Sequence, residues 1–393
     1  MYPPIMAGGA ELIVSYLAEG LAACGHRVTV VSTCGPEMEP YPAEITNGVE
    51  IIRFFPNNLY WNVTRGSQPA YKKALWHLRD AWNRDAGRRF KAILEERKPD
   101  LLHTHLIDGM SAILWRRARQ AGIPVIHTAH DYHLLCPRAV MLTQSQRICT
   151  RPTLACRAYR TWHLATSRDV NLFCSPSQFL LEKHREAGLQ AERTAVMPNG
   201  IPLPAASTSQ KDTKAPKHFL FASRLTVEKG CQVLLDAIPL LPTELPFALT
   251  VAGKGPYEDA FRALAARDPR VSFLGYIQSG QKSSAFKAAD CLLVPSLWYE
   301  NAPVTIIEAA AYGIGVIGSD IGAIPEFVTR EENGLLFEAG NPQALAHAIV
   351  RVVREESLLS RFAQHGKELA ARSGVERMIS TYAGHYASLC NNA

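Results

Sequence analysis

The 393 residues, 47% hydrophobic and 20% charged, exceed one ordinary core and suit two domains of ~150–200 residues, which excludes disordered and fibrous chains. The net charge of +6 conceals an asymmetry: residues 1–195 carry 24 Lys+Arg against 17 Asp+Glu, the remainder 18 against 19, so the basic first half suits an anionic partner, either a membrane surface or a phosphorylated acceptor, as well as plain solubility. No apolar stretch reaches the ~20 residues of a spanning helix; no basic leader marks the chain for secretion, and nine scattered cysteines read as reduced thiols of a cytosolic protein.

In chain order, residues 28–32, 101–103, 124–128 and 171–174 are β-branched or apolar runs that predict buried parallel strands, each followed by a segment with helical spacing. Residues 198–217, rich in Pro, Ser, Thr and Lys, have the composition of a linker. The alternation restarts at 218–222, 247–252, 271–274, 291–294 and 316–319. The expected organisation is an N-terminal domain over 1–197, the linker, a second domain over 218–375, and a C-terminal helix over 376–393 able to pack back on the first domain. Two β/α series predict two doubly wound α/β sheets facing each other across a cleft, with the ligand at the carboxyl ends of the strands.

Ala222-Ser-Arg-Leu-Thr-Val-Glu-Lys-Gly230 is expected to leave a strand, turn, and enter a helix whose N-terminus faces the cleft. That would set Arg224 and Lys229 where backbone N–H groups and a helix dipole favour a diphosphate. The stretch Trp298-Tyr-Glu300-Asn-Ala-Pro-Val-Thr-Ile-Ile-Glu308 follows another strand and opens a second helix. Glu308, inside an apolar run, needs partners: ribose hydroxyls or an ion pair. Glu300 is placed to reach a donor sugar or to cap its own helix. Asn301, Ala302, Pro303 and Val304 offer backbone N–H groups to phosphate oxygens, with Pro303 in the first helical turn.

Glu300 and Glu308 in E-x7-E spacing, with Ser223-Arg-Leu and Glu228-Lys-Gly, resemble glycosyltransferase family 4, retaining enzymes of the two-domain GT-B fold. Gly8-Gly-Ala-Glu11, Met197-Pro-Asn-Gly200, Val251-Ala-Gly-Lys-Gly255, Phe273-Leu-Gly275 and Gly322-Ala-Ile-Pro-Glu326 extend the resemblance in family order. It implies that Arg224 and Lys229 bind the donor diphosphate, Glu308 the ribose and Glu300 the transferred sugar. Gly9 would let its loop approach the donor phosphate, Gly253 belongs to the donor site, and His130 lies near the sugar. Asn-Ala-Pro after Glu300 replaces the family's frequent Gly-Phe-Gly, which alters the sugar pocket. Family members begin with a hydrophobic strand before the Gly-Gly loop; none is seen ahead of Gly8, so a start upstream of Met1 is expected.

No two aspartates are separated by one residue, so no metal on an Asp-x-Asp pair and no cofactor is expected, and the leaving charge falls to Arg224, Lys229 and helix N-termini. The donor base, UDP- or GDP-linked, would contact the region after Gly275, where Tyr276 could stack or merely pack. The expected activity is retaining transfer to a glycan or polyprenyl-diphosphate-linked acceptor in cell-envelope polysaccharide synthesis. A sugar-nucleotide epimerase is the alternative; an oxidoreductase lacks its G-x-G-x-x-G, and a sugar-binding protein does not call for the Arg–Lys pair.

Residues 110–168 hold nine arginines, no lysine and one acid, Asp131. Arginine without lysine suits bidentate recognition of phosphate, so His105, Arg138, Arg147 and Arg151 are acceptor candidates, with peripheral contact at the inner face of a membrane and no nucleic-acid partner. Cys136, Cys149 and Cys156 beside His133 and His163 have ligand types for zinc but not its close pair spacing, which favours reduced core thiols.

Overall fold

The computed structural model describes residues 1–5, 8–39, 41–204 and 216–391; most of the expected linker, residues 205–215, lies outside them. Chain contacts define two units: Met1–Met141 with Thr150–Gly200 and Val375–Ala393, and Leu142–Cys149 with Ile201–Gly374. The short segment 142–149, read from the sequence as part of the first domain, groups with the second.

In the first unit, α1 (Gly9–Ala23) buries Ile13, Leu17, Ala18 and Leu21, the spacing of one helix face. β1 (Val28–Thr33) pairs in parallel with β3 (Val49–Phe54), and β2 (Glu44–Thr46) lies antiparallel on the far edge of β3. The helix expected after β1 is therefore a hairpin: Asn47-Gly48, both at positive φ, is the dipeptide that closes a two-residue β-turn. After α2 (Ala70–Ala81) and α3 (Arg84–Arg97) comes a parallel sheet of β4 (Leu102–Thr104), β5 (Val125–Thr128), β6 (Leu172–Ser175) and β7 (Arg193–Val196), interleaved with α4 (Ile113–Gln120), α5 (Leu154–Thr166) and α6 (Gln178–Glu186).

One doubly wound sheet was expected here; among the described residues there are two, ordered β1-β3-β2 and β4-β5-β6-β7. Neither β1 nor β4 has a strand partner on its outer edge among these residues. A cavity of about 830 Å³ separates them, lined by residues 28–32 and 101–107 and by Leu17, Leu21, Phe90 and Leu114.

The second unit holds one six-stranded parallel sheet. Its strands are β8 (Lys217–Ala222), β9 (Phe247–Ala252), β10 (Val271–Gly275), β11 (Cys291–Val294), β12 (Gly315–Ser319) and β13 (Gly334–Phe337). The helices between them are α7 (Cys231–Ala237), α8 (Glu258–Arg267), α9 (Ser279–Ala288), α10 (Val304–Ala311) and α11 (Ile324–Phe327), and α12 (Pro342–Arg354) and α13 (Glu356–Arg372) follow. The order β10-β9-β8-β11-β12-β13 reverses direction between β8 and β11, so this gap is the switch point at which doubly wound sheets bind ligands. β11 and β12 are buried throughout, which is why they read as unbroken apolar runs. Phe219, Phe221, Leu249, Val251, Leu293 and Ile317 centre the core.

α14 (Val375–Cys390) returns to the first unit and packs on α1. Its Tyr382 and Tyr386 hydroxyls bond Thr128 at the end of β5 and His103 in β4.

Candidate active site

The loops that leave β8 and β11 meet at the switch point. Lys229 Nζ donates to Glu300 Oε1 at 2.7 Å, and Ser296 Oγ donates to the same oxygen at 2.6 Å. Glu300 is 4% exposed. Burial pushes its carboxyl up, but the Lys229 ammonium and the two donors outweigh this and hold it below the usual carboxylate range. The ammonium also lies 4.9 Å from the Trp298 ring centroid. The approach of the loops depends on glycine: Gly230 has φ +75°, and a Cβ there would stand 1.7 Å from the Pro295 carbonyl oxygen. Gly322, at φ +62°, would meet the Glu300 amide at 2.5 Å.

The strand is followed by a turn and then a helix. Val227–Lys229 form a 3-10 turn closed by Gly230, and α7 starts only at Cys231, so Arg224 is not at a helix N-terminus. Its largely exposed guanidinium pairs with Glu228 at 3.2 Å, one turn away from the Lys229 pair. Pro303 likewise precedes its helix: it is the N-cap of α10, whose first residue is Val304.

Glu308 on α10 accepts from Lys282 Nζ of α9 through Oε1, while its Oε2 is buried without a hydrogen-bond partner. Burial pushes this carboxyl up, and Lys282 only partly counters it. Asn301 is buried and Tyr276 is 73% exposed directly after β10, so Tyr276 does not serve as packing. The Gly253 amide bonds the Gly275 carbonyl at 2.8 Å, joining the ends of β9 and β10.

In the first unit, His130 follows β5, and its Nε2 lies 3.0 Å from His105 Nδ1. Removal from water pushes His130 down to about 4 and His105 well below its ordinary value, so both rings are neutral near pH 7. His103 is held by Tyr386 and Thr128, and His127 by Thr104, structural roles for both. Gly9 is the exposed first residue of α1. Arg138 and Arg151 are exposed in this unit, whereas Arg147 is exposed in the second. All nine cysteines are free. Among the described residues, the group of three metal-ligand side chains that converges within 4.8 Å is Asp80, Asp108 and His133, and no cysteine belongs to it.

Two family models divide the chain: residues 8–200 match the glycosyl transferase 4-like domain and residues 216–355 the glycosyl transferases group 1. A Klebsiella pneumoniae protein described as an uncharacterized 42.6 kDa protein in the cps region is 30% identical over 332 residues, 83% of this chain and 85% of that one. The chain belongs to the group 1, family 4 glycosyltransferases. The phosphatidyl-myo-inositol mannosyltransferase of Mycobacterium leprae is 24% identical over 371 residues, covering 93% of this chain and 89% of that one. The Anabaena protein HepE, solved with UDP, superposes with a TM-score of 0.72 at 20% identity over 99% of this chain and 98% of that one. The two parallel α/β units are thus the Rossmann-like halves of a GT-B glycosyltransferase. Sequence reasoning missed Lys282 and Ser296 in this glycosyltransferase, because each becomes visible only when α9 or the β11 loop is brought against its glutamate.

Proposed function

We propose that this glycosyltransferase is a retaining, metal-independent enzyme that moves a sugar from a UDP- or GDP-linked donor to a glycan or lipid-linked acceptor. The observation that carries the reading is the switch-point pair Lys229–Glu300 beside a second carboxylate, Glu308, with one buried oxygen unpartnered. Glu308 Oε2 accepts a ribose hydroxyl. Lys229 and the exposed Arg224 meet the diphosphate together with the backbone of residues 301–304, Tyr276 lies against the base, and Gly253 borders it. Glu300 holds the sugar from one side, and the family resemblance gives His130 a role toward the sugar and Gly9 one toward the phosphate. The bond from the anomeric carbon to phosphate oxygen breaks as the acceptor oxygen adds on the same face, and the acceptor proton passes to the departing phosphate. Cations fixed at that oxygen lower the barrier as its charge grows.

UDP is the first donor to test, since HepE was solved with it. A lipid-linked acceptor fits the lipid-directed name of the M. leprae relative and supports work at the cytoplasmic face of a membrane in envelope polysaccharide synthesis, with His105, Arg138, Arg147 and Arg151 toward the acceptor. The epimerase alternative finds no support among the relatives. UDP should raise the melting temperature in a concentration-dependent way, and NMR of the product should show the donor's anomeric configuration. An inverted product, or a donor epimerised without acceptor, overturns the reading.

A further inference from the structure

Two helices of the first unit expose apolar stripes where a helix surface is ordinarily polar. On α2, at ~100° per residue, Tyr71, Leu75, Leu78 and Trp82 just beyond its end fall within about 60° of one another. Leu78 is 73% and Tyr71 64% exposed. The opposite face carries the buried Trp76 and Asp80, so the helix is fully anchored without its outer stripe. On α5, Leu154, Ala158 and Trp162 repeat the pattern, with Leu154 81% exposed. Trp82 and Trp162 meet edge to face with ring centroids 5.9 Å apart, and Trp162 Nε1 donates to the Ala81 carbonyl at 3.0 Å. The two stripes therefore form one surface.

Its charge has one sign. Lys72 and Arg79 flank one side of the α2 stripe and Arg157 the α5 stripe; the only acid on either helix is the buried Asp80. Asp85 of α3, the next acid along the chain after α2, is partly buried and already paired with Arg79 and Arg88. A second copy docked on this face by two-fold symmetry would set like charges against like. Tryptophan and tyrosine with leucine, bordered only by cations, match the boundary between headgroups and acyl chains of an anionic bilayer.

We infer that the α2–α5 face seats the protein on an anionic lipid surface. This deepens the proposed lipid-acceptor reading and rests on it only for its purpose. The test sediments the full chain with phosphatidylglycerol–phosphatidylcholine vesicles and with phosphatidylcholine alone, without donor or acceptor. Binding is expected to the anionic vesicles, with a blue shift of tryptophan emission that salt weakens. The double variant Leu78→Ser, Leu154→Ser and the charge variant Lys72→Glu, Arg157→Glu should each bind about tenfold less while keeping the parent's melting temperature and its UDP-induced shift. Equal binding by parent and variants, or none by the parent, overturns the inference. So does a parent dimer that the Ser variant dissociates, since the face would then join two copies. Loss of the UDP shift in every form, with vesicle binding intact, sinks the donor reading and leaves this surface standing.

Discussion

Lys229 Nζ lies 2.7 Å from Glu300 Oε1, and this contact joins the loop leaving β8 to the loop leaving β11 across the point where the strand order reverses. The carboxylate has almost no solvent and depends on Lys229 and Ser296 for compensation. Removing the lysine therefore acts twice, on the proposed diphosphate contact and on the folded state of Glu300.

Lys229→Ala is expected to cost ~3–5 kcal/mol of stability, the usual penalty of leaving one charge of a buried pair uncompensated, and to slow transfer at least ~10-fold. Lys229→Ala combined with Glu300→Gln should regain most of the stability and none of the activity. Urea melts and initial rates on the three proteins check this. A stable single variant would show that Glu300 finds its compensation elsewhere.

Glu308 is balanced differently, because its partner Lys282 is partly exposed. Glu308→Gln should change stability by less than ~1 kcal/mol yet weaken UDP binding about tenfold through loss of an ionised acceptor for ribose. Lys282→Met removes the group that counters burial, so the carboxyl moves further up and stays protonated to higher pH. UDP affinity in this variant should then decline at a higher pH than in the parent on acid titration. Superimposable titrations would remove Glu308 from the ribose site.

The sequence yielded the strands that are buried on both faces, such as Phe247–Ala252 and Cys291–Val294, because burial demands a continuous apolar run. It hid β3, whose residues alternate between buried and partly exposed, and β13, a short strand that begins with glycine. Glu308 was legible as a carboxylate in an apolar helical run, and Glu300 by its place on the loop ahead of that helix and its E-x7-E spacing. Their partners were not, since Lys229 is 71 and Lys282 26 residues away from the glutamate each serves, and only the fold closes such distances. Arg224 stands ahead of the 3-10 turn and pairs with Glu228, a placement set by the geometry of the turn and not by residue type alone.

The cavity of about 830 Å³ between β1 and β4 gives a test of the first unit's core. Each strand edge there carries backbone groups whose burial without partners costs ~1–3 kcal/mol apiece. An apolar β-branched segment of about six residues, joined ahead of Met1, has the length of an ordinary strand and should raise the melting temperature by several degrees through new ladder bonds. An unchanged melting temperature would indicate that side chains and water already satisfy both edges.

Acid should unfold the first unit before the second. Burial pushes His77, His130 and His184 down to about 4 and His103, His133 and His163 to about 3, and holds His105 and His127 well below their ordinary value. All eight belong to the first unit. The unfolded chain takes up these protons near pH 6.5 and the folded chain does not until about pH 4 or below. Their contribution is complete above pH 6.5 and is lost progressively as pH falls toward 4. Three carboxyls in the same unit work in the opposite direction: Asp131, raised to about 7, and Asp80 and Asp108, also raised by removal from water, bind protons more tightly when folded. Eight groups against three leave a net loss. Hydrogen exchange between pH 7 and 4.5 should then release the amides of β5 and β6 while those of β11 and β12 stay protected. Release in the reverse order would mean that the buried histidines gain water before the unit opens.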